Sequence, residues 1–160
     1  MDVKILLADD HEIMRDGLRS LIEKQPGMQV VAEAENGKAA IKLIRKFRPD
    51  IIVMDIHMPE VNGIEATRQM VAEFPGTKVI VFTIHSDQQF VIGALKAGVS
   101  GYLLKDSDSE ELTRAIRAVA DNRLYLCPQV TGTVAEACGK EDMPERINNF
   151  CRLIALTAAR

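Results

Sequence analysis

Two adjacent carboxylates, Asp9-Asp10, stand just past the apolar run Val3–Ala8, and a third, Asp55, stands just past the run Ile51–Met54. Thr83 closes the run Lys78–Thr83, and Lys105 follows the run Gly101–Leu104. Carboxylates gathered in one cleft repel one another unless one protonates or a cation joins them. A hard divalent ion with oxygen ligands resolves that conflict, and Mg²⁺ suits the role because it accepts a few carboxylates and keeps several waters. A hydroxyl and an ammonium facing such a centre would cradle the equatorial oxygens of a phosphoryl group. Asp55, placed between the acidic pair and those donors, is the candidate nucleophile, since a carboxylate attacking phosphorus yields an acyl phosphate. A loop that cradles phosphate directly would be glycine-rich. This first turn has no glycine before Gly17, so a phosphoryl group could approach it only through a bridging cation.

Those residues converge only if the chain folds as alternating strands and helices. Five short apolar runs, Val3–Ala8, Met28–Ala34, Ile51–Met54, Lys78–Thr83 and Gly101–Leu104, alternate with helical patterns. The first, third and fourth are nearly continuous in Val, Ile and Leu, as parallel strands covered on both faces are. Between them Met14, Leu18, Leu21 and Ile22, then Ala40, Leu43, Ile44 and Phe47, then Leu112, Ala115, Ile116 and Val119 recur at helical spacing. Asn36 is read as a helix N-cap, Ser107 with Glu110 as a capping box, and Gly98 as a left-handed C-cap. The pattern predicts an α/β fold: a (βα)5 doubly wound parallel sheet in the flavodoxin-like order 2-1-3-4-5. In that order strands one, three, four and five are neighbours, and ligands bind outside their carboxyl ends.

The whole chain sets further bounds. Its 160 residues suit one domain plus an appendage, and 47% apolar content is ordinary for a globular core. Residues 1–125 hold 16 basic and 19 acidic residues and residues 126–160 four of each, so neither part has the basic footprint that phosphate-backbone binding needs. Neither a signal peptide nor an apolar run of membrane-spanning length is present, and the chain reads as cytoplasmic, with no membrane role. Cys127, Cys138 and Cys151 are spaced 11 and 13 apart, matching neither a disulfide framework nor a C-x-x-C metal site, so they are read as free, buried or half-buried thiols. Pro128 to Lys140 reads as a linker or marginal helix. An amphipathic pattern of Ile147, Phe150 and Ile154 follows.

Taken together, LLADDH, VMDIHMPEVNG with Asp55, Met58-Pro59 and Gly63, the Phe82-Thr83 pair and LLKD around Lys105 closely resemble bacterial response-regulator receiver domains. The resemblance runs from residue 3 to about residue 123. It implies that Asp55 accepts a phosphoryl group from the phosphohistidine of a partner sensor histidine kinase. It also implies that Asp10 binds Mg²⁺ directly, with Asp55 and the backbone carbonyl of His57, while Asp9 acts mainly through water. Lys105 would ion-pair with the phosphoryl group, Thr83 would move inward to hydrogen-bond it, and Tyr102 occupies the switch position, expected to rotate inward on activation. His11, His57 and His85 are expected to line the rim rather than bind metal, with His57 and His85 tuning phosphoryl lifetime.

Residues 107–128, with AIRAVADNRLYLCP, resemble the exit from the receiver in LuxR-type (helix-turn-helix) response regulators, and Leu156-Thr157-Ala158-Ala159-Arg160 resembles the opening of their DNA-binding domain. The expected division is 1–125 receiver, 126–155 linker with an amphipathic helix, and 156–160 the start of a DNA-binding domain otherwise missing. DNA would be met only through that domain, and a homodimer is allowed without being required. The linker helix would pack on the receiver, on the effector domain or in a dimer, the alternative being a disordered tail.

Two other functions compete with this one. An Asp-nucleophile phosphohydrolase of the haloacid-dehalogenase type wants a second acid two residues after the nucleophile, where this chain has His57. A flavodoxin-like cofactor binder wants a Ser/Thr/Gly-rich loop after strand one. The expected role is therefore a phospho-acceptor switch, not a turnover enzyme.

Overall fold

Each of the five apolar runs forms a parallel strand with the bounds read above: β1 (Val3–Ala8), β2 (Met28–Ala34), β3 (Ile51–Met54), β4 (Lys78–Thr83) and β5 (Gly101–Leu104). The computed structural model describes residues 2–60, 62–140 and 142–158. Helices α1 (Glu12–Glu23), α2 (Gly37–Phe47), α3 (Gly63–Glu73), α4 (Gln88–Ala97) and α5 (Ser109–Ala120) alternate with these strands. A short β6 (Tyr125–Leu126), then α6 (Pro128–Ala137) and α7 (Glu145–Ala158), complete the described chain.

The sheet order is β2-β1-β3-β4-β5-β6, all parallel, so the expected 2-1-3-4-5 order holds and gains a sixth strand. Every residue of β3 is buried, as is all of β4 beyond Lys78, which explains their unbroken apolar sequence. Ile5, Leu6, Leu7, Ile51, Ile52, Ile80, Leu103, Ile44 and Ile116 form one aliphatic core. Burying each such side chain is worth roughly 1.5–3 kcal/mol.

Two of the three helix-end readings hold. The Asn36 side chain accepts from the Ala39 N–H at 2.8 Å, and Gly98 takes the left-handed conformation (φ 109°) that ends α4. The Ser107–Glu110 capping box does not form. Asp108 caps α5 instead, its carboxylate accepting from the Glu111 N–H at 2.8 Å, while the buried Ser107 hydroxyl lacks a partner. A carboxylate at the helix N-terminus also meets the positive end of the helix dipole, which favours Asp108 over the hydroxyl one residue earlier.

The chain beyond Leu126 is more ordered than a linker. Residues 128–137 are helical despite Gly132 and two threonines, because Val130, Val134 and Ala137 fall on one buried face. Cys127, Met143 and Ile147 join the same core, and α6 packs against α4 and β5 while α7 packs against α6. The reading of three free thiols is corrected: Cys138 and Cys151 form a disulfide, and Cys127 remains the free, buried one. Sequence spacing carried no sign of that pairing. It arises because α7 folds back on α6 and brings the two Cα atoms to 5.8 Å, within bridging range. The reading of 156–160 as the start of a further domain falls partly on residues 159–160, which lie outside the described residues; Leu156 lies within α7.

Candidate functional site

Backbone hydrogen bonds carry the parallel pairing one residue past the strand ends, and this sets the acidic groups side by side. The Asp9 N–H donates to the Ala34 carbonyl (3.0 Å), the Asp55 N–H to the Ala8 carbonyl (3.0 Å) and the Lys105 N–H to the Thr83 carbonyl (2.8 Å). Asp9, Asp55, Thr83 and Lys105 thereby meet at the carboxyl edge of β1, β3, β4 and β5, as the strand order required. Asp9 is 3% exposed, Asp55 6% and Thr83 0%, while Asp10 faces solvent.

Lys105 Nζ lies 2.8 Å from Asp9 Oδ2 and 2.7 Å from Asp55 Oδ2, bridging two carboxylates that would otherwise repel. Burial pushes the Asp9 carboxyl up. The Lys105 hydrogen bond, the backbone and ring donors of His11 and the Lys105 charge outweigh it and hold the group below its usual range. Burial likewise pushes the Lys105 ammonium down, but its bonds to Asp55 and Asp9 and their charges raise it overall. The site is thus built to keep Lys105 charged and Asp9 ionised.

His11, expected on the rim, joins the acidic turn directly. In the structure its Nδ1 lies 2.9 Å from Asp9 Oδ1 and 3.0 Å from Asp10 Oδ1, and ligand atoms of Asp9, Asp10 and His11 fall within 4.8 Å of one another. That cluster could hold a metal ion, and two of its three donors are hard carboxylate oxygens. Asp55 lies across Lys105 from it. On the other flank the His57 N–H donates to Asp55 Oδ1 at 3.3 Å, and the His85 N–H to Thr83 Oγ1 at 3.4 Å. The His57 and His85 rings sit 4.1 Å apart and both pack on Phe90, at 5.3 and 5.1 Å. This aromatic cluster had no signal in the sequence beyond two histidines each two residues after a site residue.

Tyr102, expected at a switch position, points inward. It is 0% exposed and its hydroxyl donates to the His85 carbonyl at 2.6 Å. Burial, with the nearby Cys127, Asp55 and Asp87, pushes its phenol pKa well up, so it stays a neutral donor. Two further residues shape the site. The Arg15 guanidinium donates to the Asp9 carbonyl at 2.5 Å and to Glu33 Oε1 at 3.2 Å, fixing α1 to the acidic turn. A Cβ on Gly63 would lie 2.4 Å from the Asp55 carbonyl oxygen, so only glycine lets α3 start this close to the Asp55 backbone.

Comparison with known proteins places the chain in a family. The family model described as "Response regulator receiver domain" matches residues 5–117. The chain is 43% identical over 129 residues to the transcriptional regulatory protein DegU of Brevibacillus brevis, covering 81% of this chain and 55% of that protein. It is 36% identical over 133 residues to the response regulator GacA of Pseudomonas aeruginosa, covering 83% of this chain and 62% of that one. The chain therefore spans somewhat over half the length of these relatives. A crystal structure of a LuxR-family two-component response regulator from Aurantimonas sp. SI85-9A1 is 42% identical with a TM-score of 0.81, covering 85% of this chain and 97% of that one. Strand-end chemistry, sheet order and family match agree: the chain belongs to the response regulator receiver domains of two-component systems.

Proposed function

We propose that Asp55 is the phospho-acceptor of a signalling switch, phosphorylated by the phosphohistidine of a sensor histidine kinase. The observation that carries this is a buried Asp55 carboxylate held 2.7 Å from the Lys105 ammonium, beside the Asp9–Asp10 turn. An Asp55 oxygen attacks phosphorus, the P–N bond to the kinase histidine breaks, and an acyl phosphate forms on Asp55. Lys105 turns from Asp55 to a phosphoryl oxygen, and the buried Thr83 hydroxyl donates to another. Asp9, Asp10, Asp55 and the His57 carbonyl would hold Mg²⁺, which when bound offsets the charge of the incoming phosphoryl group. The carboxylate oxygens of the acidic turn fit such a hard ion.

The printed names of the relatives, transcriptional regulatory protein and response regulator, support an output in transcription. The receiver would control an attached DNA-binding domain from the cytoplasm, with DNA met only by that domain and with homodimerisation as one route of control. No described helix is long and apolar enough to cross a membrane. Turnover of substrate is not part of this function: phosphorylation is stoichiometric and self-catalysed, as is its loss.

Incubation with acetyl phosphate and Mg²⁺, followed by intact mass measurement, tests the reading. One added phosphate is expected, absent in Asp55→Asn and absent when a chelator removes the metal. Unlimited turnover of a phosphomonoester would instead establish a phosphohydrolase.

A further inference from the structure

The segment after β5 is joined to the sheet by pairing of β6 with β5 and by the buried Val130, Val134, Ala137 and Ile147. Helix α7 adds a polar tie. The Arg146 guanidinium donates to the Val99 carbonyl, and also to Ser100 Oγ at 3.4 Å, in the turn that leads from α4 into β5. Five residues on, Cys151 is bonded to Cys138 at the end of α6. The covalent bridge and the Arg146 contact thus fix the same helix at two points.

From this arrangement we propose that Cys138–Cys151 is an exchangeable disulfide, opened by a thiol or dithiol reductant, whose opening frees α7 from the α4–β5 turn. The proposal is independent of the phosphoryl chemistry at Asp55. Four observations support it. The bridge joins only α6 to α7, and none of the paired strands of the sheet carries either cysteine. Both bridged cysteines are half-buried rather than sealed, so an attacking thiolate can reach them. The third thiol, Cys127, is 0% exposed and burial pushes its pKa up, so it does not compete in exchange. Cys138 Sγ lies 3.1 Å from the Val134 carbonyl, an acceptor that the thiol can use and the disulfide cannot, so the reduced form is also accommodated.

The exchange balances as a two-electron reduction. The reductant's thiolate attacks one sulfur, the S–S bond breaks and a mixed disulfide forms. A second reductant thiol displaces it, the reductant leaves oxidised, and two protons complete the Cys138 and Cys151 thiols.

Hydrogen exchange on the full chain, oxidised and then reduced with dithiothreitol, provides the test. Peptides covering 145–158 and 98–101 are expected to exchange roughly a hundredfold faster after reduction, the loss of constraint expected for a loop of this length. The double variant Cys138→Ser/Cys151→Ser should show the fast rate with or without reductant. Arg146→Gln in the oxidised chain should speed exchange at 98–101 only. In parallel, glutathione buffers spanning the reduced-to-oxidised ratios of a cell interior should half-open the bridge, read by mass after alkylation. Equal exchange rates in the oxidised and reduced chain overturn the proposal. So does a bridge that stays closed under excess reduced glutathione, or three alkylated cysteines in the air-oxidised chain.

Discussion

Lys105 serves two carboxylates at once, at 2.8 and 2.7 Å, and its removal takes from two nearly buried negative groups the cation they share. Breaking a buried pair from one side is costly, so Lys105→Met should lower unfolding stability by about 3 kcal/mol in metal-free buffer. Millimolar Mg²⁺ should restore part of that loss, because a divalent ion can replace the missing charge; denaturant melts with and without chelator check both statements. At Cys127 the buried, raised thiol should resist iodoacetamide in the native chain at neutral pH and react only on unfolding. The residue types at the site were legible from their positions past strand ends, since a parallel sheet has one place to bring such ends together. What each side chain touches was not. That Lys105 spans to Asp9, that His11 joins Asp9 and Asp10, and that the His57 and His85 rings meet at a tilt are products of rotamers and loop paths with no sequence period.

Helix starts and strand ends position the chemistry, and their strengths differ. Loss of the Asn36 cap in Asn36→Ala should cost about 1 kcal/mol, a general loss of α2 that leaves the site chemistry intact. Gly63→Ala should be worse for function than for folding, because its Cβ collides with the backbone of Asp55 and Ile56. A phosphorylation rate reduced well beyond any stability loss, measured with acetyl phosphate, is the expected outcome. The strands were legible to the residue because β3, β4 and β5 are short apolar runs buried almost throughout, while the edge strand β2 alternates buried Met28, Val30, Ala32 and Ala34 with more exposed residues. The two-residue β6 was not, being shorter than any pattern can register, and α6 was weakly marked because Gly132, Thr131 and Thr133 dilute its propensity. Its helix rests on packing against α4 and β5, which only the folded chain supplies.

Across the whole molecule, the segment after Leu126 shares the core of the five-stranded body. Ile147 in α7 is 0% exposed, so Ile147→Ala should destabilise the chain by about 2–4 kcal/mol; an independent tail would show no change in a denaturant melt. Under the proposed function, a phosphoryl group on Asp55 should remodel the region of α4, β5 and α5, which now also bears α6. Amide shifts there on binding a beryllofluoride mimic, extending into 128–137, are the expected signature, and shifts confined to the acidic turn would count against it.

The pairing of β6 with β5 has one more consequence. An open β5 flank would offer unpaired backbone groups to any extended peptide, inviting sheet growth between molecules. Here the chain plugs that flank with its own residues, Gly101 opposite Tyr125 and Tyr102 opposite Leu126. The opposite border, β2, is guarded in another way: its Glu33 is clasped by Arg15 and Arg19 from α1. Backbone-to-backbone recruitment directly onto β5 is therefore foreclosed.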